Sequence, residues 1–321
     1  MAEHWDEAVE ELRTVRDLVR WGASRLEEAG VWLGHGTEDP VDEALTLVLH
    51  ALRLRPPLPP ELFGARLTRR ERCEAVALLR RRVEERLPAP YLIGEAWFAG
   101  LPFHVDPRVL VPRSPIAELI ERGFEPWLQA PPRRILDLCT GSGAIAVACA
   151  LAFPEAEVDA VDVSPEALAV ARRNVARHGL EGRVRLLRSD LYSALGGRRY
   201  DLIVSNPPYV GEAELARLPL EYHHEPHLAL AAGPEGLDVV LALLCQAPAH
   251  LEPEGLLVVE VGATREALER RLPGLPLTWV ELERGGEGVF VVTREELEAG
   301  REALEKAAGE AAAVGRVPEP G

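Results

Sequence analysis

The chain changes its hydrophobic rhythm once. Over residues 1–90 apolar positions recur every three or four residues, and Val9, Leu12, Val15, Leu18, Val19 and Leu26 form one stripe within residues 5–30. That is the spacing of a helix with one buried face. A second helix is expected over Val41–Leu54, opened by Asp39-Pro40 and ended by the PPLPP run at 56–60. A third is expected from Thr68 to Leu87, with Thr68 as N-cap, Glu71 at capping-box spacing, and Pro88 and Pro90 closing it. Residues 1–90 therefore read as a small all-helical domain.

From Arg134 the rhythm alternates between strand and helix. Strands are expected at 134–138, 157–161, 183–188, 201–205, 255–261, 276–283 and 287–293, and helices at 143–152, 165–179, 236–251 and 264–272. Such alternation predicts an α/β fold, an open and mostly parallel seven-stranded sheet covered by helices on both faces. Arg284-Gly285-Gly286 predicts a hairpin turn, so the last two strands make an antiparallel edge. Between the two regions Phe98, Leu101, Phe103 and Val105 around Gly100 predict a β-hairpin over 91–113, and Ser114-Pro115 starts a helix to about Leu128. The sheet domain is expected over 114–306, including most of an acidic helix over 294–312. Residues 307–321, ending in VGRVPEPG, are expected to form a flexible tail.

Composition narrows the class. No apolar stretch of the 321 residues is long enough to span a bilayer, and the opening MAEHWDEAVEELR lacks the basic and apolar segments of a signal peptide. A cytoplasmic protein is expected. Cys73, Cys139, Cys149 and Cys245 form no CxxC pair and have no histidine at ligand spacing, so no metal site is expected. The net charge of −16 argues against direct nucleic-acid recognition and permits a basic protein partner, although plain solubility accounts for it equally well.

Chemistry concentrates at the ends of the predicted strands. The first runs through Asp137 into Cys139-Thr140-Gly141-Ser142-Gly143, where glycines let a ligand approach the backbone at a helix N-terminus. Gly141–Ala146 has the dinucleotide spacing GxGxxA, and Asp162 ends the second strand where a carboxylate suits ribose hydroxyls. Asp137 weighs against a pyrophosphate, which it would repel. It suits S-adenosylmethionine, a cation without phosphate, whose product is S-adenosylhomocysteine. Asp190 ends the third strand, placed for an adenine amino group, with Leu191 placed to pack on the ring.

The fourth strand ends in Asn206-Pro207-Pro208-Tyr209. The prolines stiffen this corner and remove N–H donors. The Asn206 side-chain carbonyl and the Pro207 backbone carbonyl can each accept a bond from a planar NH2, and Tyr209 can stack on its plane. Two acceptors orient such a nitrogen and stabilise the positive charge that grows on it during transfer.

DLCTGSGA, VDVS, SDL and NPPY together resemble the class I S-adenosylmethionine-dependent methyltransferases, with a Rossmann-like sheet. NPPY resembles the branch that methylates exocyclic amines or glutamine amides. The helical first domain, the hairpin and VLVPRSPIAELI (109–120) resemble the protein N5-glutamine methyltransferase family. Pro112-Arg113-Ser114-Pro115 departs from the PRPETE or PRPDTE of release-factor methyltransferases. It points, with VRWGASRLEEAGVWLGHGTEDPVDEAL, PYLIGEAWFAGLPFHVD, EYHHEP and GGEGVF, to the branch acting on the third protein of the large ribosomal subunit. The resemblance runs from about residue 7 to 305. It implies catalytic roles for Asn206, Pro207 and Tyr209, and cofactor contacts from Asp137, Cys139, Thr140, Gly141, Ser142, Gly143, Asp162, Asp190, Leu191 and Asn206. It also implies a substrate surface of Asn206, Pro207, Pro208 and Tyr209 with Phe98, Pro112 and Arg113. Trp32, His35 and Gly36 are open between substrate contact and packing of the helical domain, and Tyr222, His223, His224 and Glu225 between a lid or substrate contact and a structural loop. Rival readings are a release-factor glutamine methyltransferase, a nucleic-acid adenine methyltransferase and a non-catalytic ribosome-assembly factor.

Overall fold

The stripe expected over 5–30 is two helices. In the computed structural model, which describes residues 2–314, α1 (Ala2–Glu11) and α2 (Val15–Glu28) are separated by Thr14 in extended conformation. The Thr14 hydroxyl accepts from Asp17 N at 3.2 Å, and the Asp17 carboxylate accepts from Thr14 N at 2.9 Å. This reciprocal box satisfies donors that a helix start otherwise leaves bare, and so starts a new helix inside a continuous apolar stripe. Next come α3 (Pro40–Ala51), capped by Asp39, α4 (Arg69–Glu84), capped by the expected Thr68–Glu71 box, and α5 (Ala89–Ile93). Leu18, Leu26, Leu47 and Leu79 are fully enclosed among them.

This helical unit takes in the chain up to Ala96 and also Pro219–His224, from far along the sequence. Glu221 of that short segment is fully buried, 2.8 Å from Arg86 and 3.3 Å from the equally buried Arg82, and it accepts from Trp32 N at 3.0 Å. Arg82 continues to Glu43 at 2.6 Å and to the Trp32 carbonyl. Burial works against charge on Glu221, yet backbone N–H donors, Arg86 and Arg82 bring its carboxyl below the usual glutamate range. Tyr222 lies 4.7 Å from the His35 ring, and His224 meets the Glu85 carbonyl at 2.9 Å.

The second unit runs over Trp97–Leu218 and from Glu225 onward. At its start β1 (Glu95–Phe98) and β2 (Leu101–His104) pair through a two-residue turn, with φ of 47° at Ala99 and 72° at Gly100. Helix α6 is Ile116–Glu121, much shorter than the helix expected to Leu128. Gly123 and Phe124 turn to φ of 64° and 58° behind it. Then follow β3 (Arg134–Leu138), α7 (Ala144–Ala152), β4 (Glu157–Asp162), α8 (Pro165–Arg177), β5 (Val184–Arg188), β6 (Tyr200–Ser205) and α9 (Glu212–Leu215). The rest is α10 (Asp238–His250), β7 (Leu251–Glu260), α11 (Arg265–Arg271), β8 (Thr278–Trp279), β9 (Val289–Thr293), α12 (Arg294–Ala299) and α13 (Arg301–Val314).

The seven main strands lie in the order β5-β4-β3-β6-β7-β9-β8, parallel from β5 to β7 and antiparallel at the β9-β8 edge. The edge strand expected over 276–283 keeps only two paired residues. The helix expected over 294–312 breaks at Gly300 and runs on to Val314, past the expected boundary at 306, because Leu304 and Ala307 bury against the core. Residues 315–321 of the expected tail lie outside the described residues. Alternate strand residues feed two apolar layers. Ile135, Leu202, Val204 and Val258 enter one with α7, and Leu136, Leu138, Ile203 and Val259 enter the other with α10. The chain winds outward from β3 to β5, then returns to β6 on the other side of β3. That reversal opens a crevice at the carboxyl ends of β3 and β6.

Candidate active site

The crevice brings together the two motifs that lie far apart in sequence. Leu138 and Ser205 are register partners, and the Ser205 hydroxyl donates to the Leu138 carbonyl at 2.9 Å. Cys139 and Asn206 therefore leave neighbouring strands side by side, about 4.8 Å apart by the spacing of a sheet.

The glycine loop is held from within. Asp137 is wholly buried; one oxygen accepts from the Thr140 hydroxyl at 2.5 Å and from Ala146 N at 3.1 Å, tying both ends of the loop to β3. Its other oxygen has no partner among the described residues. Burial pushes the Asp137 carboxyl up to about 7, against the bonds from Thr140 and Ala146. Asp162 braces the loop from the next strand, accepting from Gly141 N and from Ser164 N, each at 2.9 Å. Ser142 is buried, and its carbonyl accepts from the enclosed Asn174 amide at 2.8 Å. Gly143 has φ of 79°, and a side-chain carbon there would lie 3.1 Å from Ala171, whereas the same carbon on Gly141 would meet open space. Asp190 is exposed beyond β5, and Leu191, at φ of 44°, packs partly into the core. The Cys139 thiol is pushed far up, by burial first and then by Asp162 and Asp137, with Asp190 adding to them. Three carboxyl groups, Asp137, Asp162 and Asp190, thus surround Cys139 at the mouth of the loop.

The Asn-Pro-Pro-Tyr corner is arranged in the opposite sense. Neither the half-buried Asn206 side chain nor the Pro207 carbonyl makes a hydrogen bond among the described residues. Tyr209 is anchored: its hydroxyl donates to buried Glu260 at 2.9 Å. Val210 closes the corner by bridging to Ala231.

The comparisons with known proteins decide the family. Residues 125–218 match the family model described as methyltransferase small domain. The chain is 50% identical over 290 residues to a ribosomal protein uL3 glutamine methyltransferase of Bordetella pertussis, covering 90% of this chain and 97% of that protein. Proteins of the same description from Xylella fastidiosa and Xanthomonas campestris pv. campestris are each 53% identical over 291 residues. They cover 90% of this chain and 93% and 94% of their own lengths. The chain belongs to the ribosomal protein uL3 glutamine methyltransferase family. With the observed strand order and the glycine loop, that membership makes the sheet unit a class I methyltransferase fold.

Within this family member the sequence-expected residues fall into two groups. Asp137, Cys139, Thr140, Gly141, Ser142, Gly143, Asp162, Asn206, Pro207, Pro208 and Tyr209 all lie on the carboxyl ends of β3, β4 and β6, with Asp190 and Leu191 beyond β5. Phe98 and Arg113 are engaged internally. Phe98 packs edge-on against Phe103 at 6.3 Å, and Arg113 makes a two-pronged bond to Glu225 at 2.7 and 2.8 Å, beside half-buried Pro112. Reading the sequence misses two residues that shape the site, Asn174, which holds Ser142, and Glu260, which holds Tyr209; Glu225, open in the sequence between a lid or substrate contact and a structural loop, holds Arg113. Each acts across more than thirty positions of chain. The local sequence of Asn174 and Glu260 carries no motif; only a polar residue on a buried face, such as Asn174 on α8, hints at such a role.

Proposed function

We propose that this chain transfers a methyl group from S-adenosylmethionine to the side-chain nitrogen of a glutamine in ribosomal protein uL3. The observation that carries the reading is the uncommitted pair of acceptors, the Asn206 side chain and the Pro207 carbonyl, beside the glycine loop. The description borne by its half-identical relatives names the substrate.

The residues fit the cofactor. Open space before Gly141, the bare Asp137 oxygen, exposed Asp190 and the negative field around Cys139 suit a cation with ribose and adenine, and oppose a pyrophosphate. S-adenosylmethionine, when bound, supplies an electrophilic methyl carbon. The protein's part is orientation. Asn206 and Pro207 accept the two N–H bonds of the target amide, which fixes the plane of the nitrogen and favours the positive charge that develops on it. Tyr209 offers an aromatic face to that plane. The corner holds no strong base, in keeping with a proton that leaves after transfer.

The acidic chain, at −16, complements a basic ribosomal protein, and a net charge of that sign weighs against a role in gripping a phosphate backbone. Among the described residues no helix is long and apolar enough to cross a membrane, and the cytoplasm, where ribosomal proteins are made, is the proposed location. The test is incubation with S-adenosylmethionine and either unmethylated uL3 or unmethylated release factor, followed by peptide mass mapping. The mass gain of one methyl group on a glutamine peptide of uL3 alone is expected. A gain on release factor alone would overturn the substrate, and a gain on neither would overturn the activity on free proteins.

A further inference from the structure

We propose that Glu260 is a positioning residue for methyl transfer, a buried anchor that fixes the plane of Tyr209 and thereby the plane in which a target amide can lie. The inference rests on the glutamine-methyltransferase reading and names a residue that its motifs do not contain.

Glu260 is the last residue of β7 and is buried. Its two oxygens meet two different hydroxyls, Tyr209 at 2.9 Å and Ser114 at 2.5 Å. Ser114 Oγ also accepts from Ile116 N at 3.2 Å, so its single proton is free to point at Glu260. Arg113, next door, bonds Glu225 and acts on Glu260 through its charge, while the groups that bond the Glu260 carboxyl are the two hydroxyls. Burial raises the Glu260 carboxyl above the usual glutamate range, against the bonds from Ser114 and Tyr209, and the oxygen that faces Tyr209 accepts the phenol proton.

The surroundings show why an anchor matters here. The backbone of the corner has little room: a side-chain carbon on Gly236 would lie 2.3 Å from the Tyr209 carbonyl. The ring rests on Gly262, at φ of 48°, where such a carbon would lie 2.8 Å from Tyr209 Cε2. Backbone and floor are fixed, and the remaining freedom is rotation of the ring about its side-chain torsions. The bond from the hydroxyl to Glu260 removes that freedom. Ser114 holds the carboxylate from the other side, so the ring is referenced to α6 as well as to β7.

The experiment compares Glu260→Met, Glu260→Gln, Tyr209→Phe and the Met/Phe double variant in the full chain, with uL3 as substrate. Methionine keeps length and loses the acceptor; glutamine keeps an acceptor for Tyr209 and turns its NH2 toward Ser114. Glu260→Met and Tyr209→Phe should each lower kcat roughly tenfold to a hundredfold, the size of a lost bond to a charged group, and the double variant should be no worse than the worse single one. Glu260→Gln should recover most of kcat. The KM for uL3 and the affinity for S-adenosylhomocysteine should stay within about twofold in all four. Multiplying losses, a Glu260→Met enzyme with full kcat, or a change confined to KM would overturn the proposal.

Should Glu260→Met fail to fold, Tyr209→Phe and Glu260→Gln still decide it, by kcat and by crystal structure. The ring should leave Gly262 in the first and stay in the second; a ring unmoved in Tyr209→Phe overturns the anchor. Failure of the wild-type chain to methylate any protein would instead sink the functional reading, and the crystal structures alone would then judge Glu260.

Discussion

The glycine loop and the Asn-Pro-Pro-Tyr corner sit on neighbouring strands and treat their polar groups in opposite ways. In the loop, Asp137 bonds Thr140 and Ala146 N, Asp162 bonds Gly141 N, and the Ser142 carbonyl accepts from Asn174 on α8. At the corner the acceptors of Asn206 and Pro207 are left over, and only the tyrosine is tied down. A loop that holds a bound cofactor needs a fixed shape, and its side chains are used on shape. A corner that orients a reacting nitrogen needs spare acceptors, and prolines keep other donors away from them.

That contrast predicts separable failures. The largest is at the spare acceptor: Asn206→Ala should lower transfer to uL3 by about a hundredfold to a thousandfold, the usual cost of one such contact. Cofactor-product affinity, read by calorimetry, should be nearly unchanged, and equal losses in both would erase the distinction between loop and corner. Next is the floor under the tyrosine. Gly262→Ala puts a carbon against the ring at a left-handed φ, and it should cost transfer roughly tenfold or more while leaving cofactor affinity intact.

The loop should fail the other way. Asp162→Asn has one good acceptor for two N–H donors, those of Gly141 and Ser164. Titration should show S-adenosylhomocysteine binding weakened by roughly tenfold, with kcat at saturating cofactor largely kept. A fall in kcat with normal binding would mean that the loop serves the chemistry directly.

The smallest effect is on stability. Burial raises Asp137 in the folded chain to about 7, so its contribution is full below the unfolded value, near pH 4, and is lost as pH rises through about 7. Asp137→Asn removes that titration. Melting temperatures recorded from pH 5 to 8 should fall more steeply for the wild type than for the variant, by a few degrees. Parallel curves would show that Asp137 does not titrate in this range.

Much of the contrast was readable in the chain before its fold. Strands β3 to β6 announce themselves because each is a short run rich in apolar residues with a turn or helix start behind it, and NPPY stands out because two prolines cannot continue a strand. The two-helix break at Thr14 is hidden in the sequence because the apolar stripe runs through it unbroken, although Thr14 and Asp17 carry the cap. Helix α6 stops short of the expected Leu128 because Gly123 and Phe124 take positive φ, and a single glycine followed by apolar residues is a weak stop signal in sequence. The anchors lie furthest from local reading. Glu260 meets Ser114 across 146 positions and Glu221 meets Arg82 across 139, and such pairings exist only once the chain has folded.

The place of Glu221 has a practical consequence for dissecting the protein. The helical unit is discontinuous in sequence, so cutting the gene at Ala96 does not isolate it. A fragment ending there would keep buried Arg82 without one of its two carboxylate partners, and the complementary fragment would carry Glu221 with neither arginine. Each piece would inherit a charge meant to be hidden against the other's, a defect that costs several kcal/mol in a folded protein. An exchange of helical units between relatives, in the laboratory or by recombination, therefore has to carry two stretches of gene at once.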